Sequence, residues 1–356
     1  MRLKLVLASL ACCSTLHSEE PCGVVEPKCS CFARSAPNAK GCAFQFEFLW
    51  WRSENHGFST ALSESSGGKY SAVDGGNSIG SIVRVTPDWD PGWRLGIGWN
   101  SDYDRWDLFV NWTWYQNHAK STNIRSDIPL GLSKDGYYPQ WPVADFTNFG
   151  PYRIAYGSWK MFFNAIDLEL GRAYFATPSL SFRPLFSLRT AWINQKFISN
   201  FSGPLQLTTP LQQGFFAKNN WWGIGPRLGV ESDWQIGLGI YLLGKASASL
   251  LYGKTSVWTT SDSLDLGSSE FALDRRFVDA FYALVPNLQL FVGLGWKRFL
   301  DCGKVALSVD AGWEANCWWN QFNLPVALRT FAAPLPTVGN QPVTMEGLTF
   351  DFHVDF

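Results

Sequence analysis

From Phe44 to Phe356 the chain alternates apolar side chains with polar, small or charged ones at a period of two. Period two places successive side chains on opposite faces of a strand, so each alternating segment has one greasy face and one wet face. Phe44, Phe46, Phe48 and Trp50 oppose Gln45 and Glu47. Trp93, Leu95, Ile97 and Trp99 oppose Arg94, Gly96 and Gly98. Trp106, Leu108, Val110, Trp112 and Trp114 oppose Asp107, Asn111 and Thr113. Ile166, Leu168 and Leu170 oppose Asp167 and Glu169. Equivalent segments run near 180–192, 222–234, 238–252, 288–297, 305–314 and 348–356, ten in all. The class implied is all-β.

A soluble sandwich also alternates, but it hides its apolar face. Three features turn that face toward lipid instead. Trp or Phe stands at the ends of many apolar faces, where the amphipathic ring suits the membrane–water boundary. The opposite faces mix charges with Gly and Ser. The segments approach the ~9–11 residues of a tilted membrane strand. Hydrophobic residues make up 46% of the chain, with 19 Trp, yet no run reaches the ~18 apolar residues of a membrane helix. Lipid cannot satisfy an open sheet edge, so the expectation is a closed transmembrane antiparallel up-and-down β-barrel.

The connections alternate in length. Short ones fall near 101–105, 174–179, 235–237 and 300–303. Long ones fall near 53–92, 118–157, 200–220, 259–275 and 321–345. Outer-membrane barrels have short periplasmic turns and long outer loops, which places both barrel ends in the periplasm and closes the count at ten strands. The stretch Ile79–Thr86 leaves twelve as the alternative.

Residues 1–18 have the form of an export signal: Arg2 and Lys4, then the apolar Leu5–Ala11, then small and polar residues to Ser18. The competing readings are an amphipathic N-terminal helix and, from Cys12 and Cys13, a lipoprotein leader. Residues 19–42 are Cys- and Pro-rich and read as an irregular periplasmic segment, with the barrel over 43–356. The location expected is the bacterial outer membrane. In an oxidising compartment Cys22, Cys29, Cys31, Cys42 and Cys302 are disulfide candidates, within the chain or to other envelope proteins. Cys317 falls on an outward face.

The wet faces carry Glu47, Arg94, Asp107, Asp167, Glu169, Arg183, Arg189, Arg227, Glu231, Lys245, Lys297, Asp310 and Glu314 as the expected pore lining. Asp167 and Glu169 share a face, and paired carboxylates can do acid–base work. Arg183 and Arg189 project to the same side from the next segment, so ion pairing across the interior is the favoured reading. The charges either select solutes or only brace a narrow barrel. Gly96, Gly98, Gly223, Gly225, Gly293 and Gly295 either keep the lumen open, ease curvature or admit close packing. No catalytic set, cofactor motif or metal site stands out, and the expectation is that the chain is not an enzyme. The net charge of -1 gives no pull toward nucleic acid.

The last residues keep Leu348, Phe350, Phe352, Val354 and Phe356 on one face up to an aromatic end. This resembles the signal that the barrel-assembly machinery reads, with Phe352, Val354 and Phe356 as its core. The blocks FEFLWWR at Phe46–Arg52, WDPGWRLGIGWN at Trp89–Asn100, WDLFVNWTWY at Trp106–Tyr115 and IDLELGR at Ile166–Arg172 resemble the Legionella major outer membrane protein family, also found in chlamydia-like bacteria. So do FRPLFSLRTAWI at Phe182–Ile193, NNWWGIGPRLGVE at Asn219–Glu231, LFVGLGW at Leu290–Trp296 and AGWEANCWWNQ at Ala311–Gln321. The resemblance implies an outer-membrane barrel with porin-like activity, while the Cys-rich 22–42 segment has no match to the family pattern. Passive diffusion of small solutes or ions is the leading expectation. A structural envelope protein or adhesin, cross-linked by disulfides, is the alternative. Partners expected are outer-membrane lipid, the assembly machinery and a homo-oligomer.

Overall fold

The computed structural model describes residues 41–55, 59–64, 80–101, 104–124, 136–139, 151–205, 211–264, 272–300, 305–322 and 341–356. Strands run in chain order as β1 (Gly41–Asn55), β2 (Ser59–Glu64), β3 (Gly80–Arg84), β4 (Asp90–Asn100), β5 (Trp106–Ile124), β6 (Gly136–Pro139) and β7 (Tyr152–Arg172). They continue as β8 (Tyr174–Thr177), β9 (Leu180–Pro204), β10 (Gln212–Gly237), β11 (Ile240–Leu264), β12 (Ala272–Leu300), β13 (Val305–Phe322) and β14 (Gln341–Asp355). The ring is β1-β4-β5-β7-β9-β10-β11-β12-β13-β14, and β14 returns to β1, so ten antiparallel strands close a barrel. The strand β3, within the stretch that left twelve as an alternative, pairs with β2 and lies outside the ring.

Side chains alternate between interior and exterior along every barrel strand, as the sequence period requires. On β4, Leu95, Ile97 and Trp99 face outward while Gly96, Gly98 and Asn100 are buried. The seam between β1 and β14 is sealed on its outer face by aromatic pairs. Phe46 stacks on Phe352 at 6.5 Å and Phe48 meets Phe350 at 6.5 Å, each directly opposite in the register. Phe44 meets Phe356 edge-on at 6.1 Å.

The strands outrun the expected segments. β10 has 26 residues and β12 has 29. A crossing needs only ~9–11, so the wall rises well past the hydrocarbon on the long-connection side. The expected connection 200–220 shrinks to 205–211, and 259–275 to 265–271. His118, expected in or beside a loop, lies inside β5. The physical reason is that a strand with water on both faces loses the polarity contrast that marks it in sequence. The turn joining β10 to β11 is tight: Leu238 and Gly239 both take positive φ, 54° and 80°, as primed hairpin turns require.

Candidate functional site: the barrel lumen

The interior divides into two zones. Toward the short turns lies a small polar chamber of about 50 Å³. Toward the long connections lies a block of buried apolar side chains that fills the bore.

The chamber is built by cross-strand pairs on the inward parity. Glu47 on β1 sits directly opposite Arg94 on β4 and forms a close ion pair with it. Arg94 also reaches Glu314 on β13 at 2.9 Å and donates to Thr113 Oγ1 at 2.9 Å. Asp167 and Arg189 are opposite neighbours on β7 and β9 and make a bidentate bridge at 2.6 and 2.8 Å. Arg189 extends further to Asn287 at 2.6 Å and Gln289 at 2.9 Å on β12. The close partner of Glu169 is Arg227 on β10. Arg183 instead meets Asp107 closely and Glu231 at 3.2 Å, with Glu169 at 3.9 Å. Lys245 on β11 crosses the bore to Asp351 at 3.3 Å and Glu47 at 3.7 Å. Tyr241 donates to Asp310. Lys297 faces the same interior, half-buried near the short-turn end.

Charge is distributed unevenly. Asp310, Asp351 and Glu47 stand directly opposite one another on β13, β14 and β1. Arg183, Arg189 and Arg227 stand on β9 and β10, across the bore. Like charges side by side are unfavourable, and here Arg94, Lys245 and Gln45 hold the acidic row together. Gln45 donates to both Glu47 at 2.7 Å and Asp351 at 2.6 Å. Among the described residues no group of three or more His, Cys, Asp or Glu is arranged to hold a metal ion.

The apolar block centres on Trp51, Tyr115, Phe163, Trp221 and Trp318, all buried. Trp318 on β13 meets Phe163 on β7 at 5.6 Å and Trp221 on β10 at 5.7 Å. Trp51 donates to Thr349 Oγ1 at 3.1 Å, whereas the indole N–H groups of Trp221 and Trp318 are buried without an acceptor among the described residues. Amides thread the block: Asn219 donates to the Gln321 carbonyl at 2.6 Å and Gln195 to the same oxygen at 3.1 Å. The inward glycines admit bulky neighbours rather than open space. A Cβ on Gly293 would lie 2.7 Å from the Phe291 ring, and one on Gly223 would lie 2.5 Å from Trp221.

Two groups of interior residues escaped the sequence reading. Asp351 lies between Phe350 and Phe352, where the aromatic face drew attention from the opposite one. Four of the block's aromatics belong to doublets, Trp50-Trp51, Phe162-Phe163, Trp221-Trp222 and Trp318-Trp319. In a period-two strand each doublet must send one ring inward, and that parity was the available signal. Cys42 and Cys317 are free thiols, Cys42 exposed on the outer side of β1. Cys22, Cys29, Cys31 and Cys302 lie outside the described residues.

The sequence model of the Legionella pneumophila major outer membrane protein precursor matches residues 35–356. The chain belongs to that family. It is accordingly a porin-like barrel of the bacterial outer membrane, in contact with the lipid there. No curated protein sequence matches it. Among solved structures it is similar to the outer membrane protease OmpT from Escherichia coli, at 9% identity and a TM-score of 0.44, over 92% of this chain and 99% of that one. It is also similar to the TodX deltaS2S3 mutant monoaromatic hydrocarbon channel, at 11% identity and a TM-score of 0.32, over 90% and 91%. The expectation that the family member is not an enzyme is corrected here. One of these similar outer-membrane barrels is itself a protease. At that level of likeness it assigns no reaction to this chain.

Proposed function

We propose that the barrel is a narrow pathway for passive diffusion of small solutes or ions, shut in its resting state by the aromatic block. What carries this reading is the pair of buried indole N–H groups, on Trp221 and Trp318, that find no acceptor among the described residues. An unpaired buried donor costs about 1–3 kcal/mol, so a settled core would not retain two where water entry relieves both. Hydrophobic constrictions of this kind gate by wetting and dewetting. The adjoining chamber supports the reading through its lining of interlocked acids and bases, which keeps a polar space beside the block.

Planar-bilayer recording of the refolded protein tests the proposal. Stable stepwise currents are expected. Bilayers that stay sealed for the wild type and for a Trp318→Ala variant would leave the second reading, a structural envelope barrel. The contact between opposite walls at Phe163 and Trp318 favours that second reading.

The remaining assignments are proposals too: an export leader over 1–18, a periplasmic segment over 19–42, and an assembly signal at Phe352, Val354 and Phe356. Their support is sequence form and the outward, exposed position of Phe352 and Phe356. Disulfide cross-linking by the Cys-rich segment is checked by non-reducing electrophoresis, where migration unaffected by reductant ends it.

A further inference from the structure

The outer surface carries a row of basic side chains that the barrel itself does not balance. His118 on β5 stands directly opposite Lys160 on β7, Lys160 opposite Lys196 on β9, and Lys196 opposite Lys218 on β10. Neighbouring strands lie ~4.8 Å apart, so the three lysines fall within roughly 10 Å along the sheet. Like charges placed opposite one another destabilise a sheet. Inside the barrel, acids and bases interlock. Outside, none of these lysines has an ion pair among the described residues, and the flanking outward positions hold Gln116, Phe162, Asn194, Asn220, Ser158, Ile198 and Phe216 rather than carboxylates. Among the described residues an acid meets the row at its end, where Asp90 lies 3.7 Å from His118. At the other end Lys218 faces Trp258, and Arg276 sits over that ring at 4.7 Å, which keeps a further cation beside the row.

The height of the row selects its partner. Along β5, β9 and β10, Trp114, Trp192 and Trp222 make an aromatic row four residues closer to the short turns. Four residues of a tilted strand rise roughly 10 Å, past the girdle that marks the edge of the hydrocarbon. The row is on the long-connection side, hence in the outer leaflet. At that depth the charges face headgroups, not acyl chains. We propose that His118, Lys160, Lys196 and Lys218 form a binding surface for the phosphate groups of the outer leaflet's glycolipid, lipid A.

The experiment compares the wild type with a Lys160→Gln, Lys196→Gln, Lys218→Gln variant in detergent. Heat-modifiable migration confirms that each is folded, and titration uses bisphosphorylated lipid A, dephosphorylated lipid A and inorganic phosphate. A Lys near an anionic lipid surface contributes about fivefold in affinity, so the triple variant is expected to bind bisphosphorylated lipid A about a hundredfold more weakly. Lys196→Gln alone is expected to lose about fivefold, which keeps the test available if the triple variant does not fold. Equal binding by variant and wild type overturns the proposal. So does equal binding of the dephosphorylated lipid, or full competition by inorganic phosphate at matched phosphate concentration, which would make the row a site for the free anion. Lys254→Gln removes an outward charge outside the row, and a loss equal to that of Lys196→Gln would likewise overturn it.

Discussion

Phe163 and Trp318 stand on β7 and β13, strands diametrically opposed in the ten-stranded ring, and their rings lie 5.6 Å apart. Wall meets wall at this contact. Truncating Trp318 to Ala is expected to raise single-channel conductance several-fold. It should also cost about 3–5 kcal/mol of stability, the usual loss for a buried Trp. Trp318→Phe should stay near the wild type in both. A Trp318→Ala protein that folds and conducts no better would show that the ring contact is not the barrier.

Arg94 lies between Glu47 and Glu314 and is the shared counter-charge of both. Replacing it with Met takes the nearest counter-charge from two buried carboxylates and leaves Glu47 with Lys245 at 3.7 Å, with an expected loss of about 3–5 kcal/mol. Glu47→Gln should lose clearly less, because Arg94 keeps Glu314 and Lys245 keeps Asp351. Urea unfolding followed by Trp fluorescence orders the two variants. Equal losses would count against the shared role.

At the seam, Phe350 and Phe352 pair with Phe48 and Phe46. Such pairs contribute about 0.5–1.5 kcal/mol each beyond area burial. Changing both β14 residues to Ala should slow closure, read as the rate of appearance of the heat-modifiable form. Phe186→Ala, also on an outward face but away from the seam, is the comparison. Identical rates would remove the seam from the account.

Gly293 is packed on its inner side, with the Phe291 ring 2.7 Å and the Gly312 Cα 2.9 Å from where a Cβ would stand. Gly293→Ala should cost about 1–3 kcal/mol through overpacking. Gly244→Ala, where a Cβ would meet just the Ser232 hydroxyl at 3.0 Å, should be milder in the same unfolding assay. A reversed order would mean that the wall relaxes around Gly293.

Class, closure and strand count followed from the sequence because period two is local: each residue's face is decided by its neighbours, and lipid enforces the contrast over every crossing. Thus Phe44 to Trp50 and Leu348 to Phe356 could be placed outward without any contact being known, and the inward charges by parity alone. Partner choice was not local. Arg183 turned to Asp107 and Glu231, and Arg227 took Glu169, because ring order and strand stagger decide which inward side chains share a level. The doublets at Trp50-Trp51 and Trp318-Trp319 required one ring inside. Only closure of the ring, bringing strands far apart in sequence within side-chain reach across a bore too narrow to stay empty, decided that those inward rings would meet and fill it.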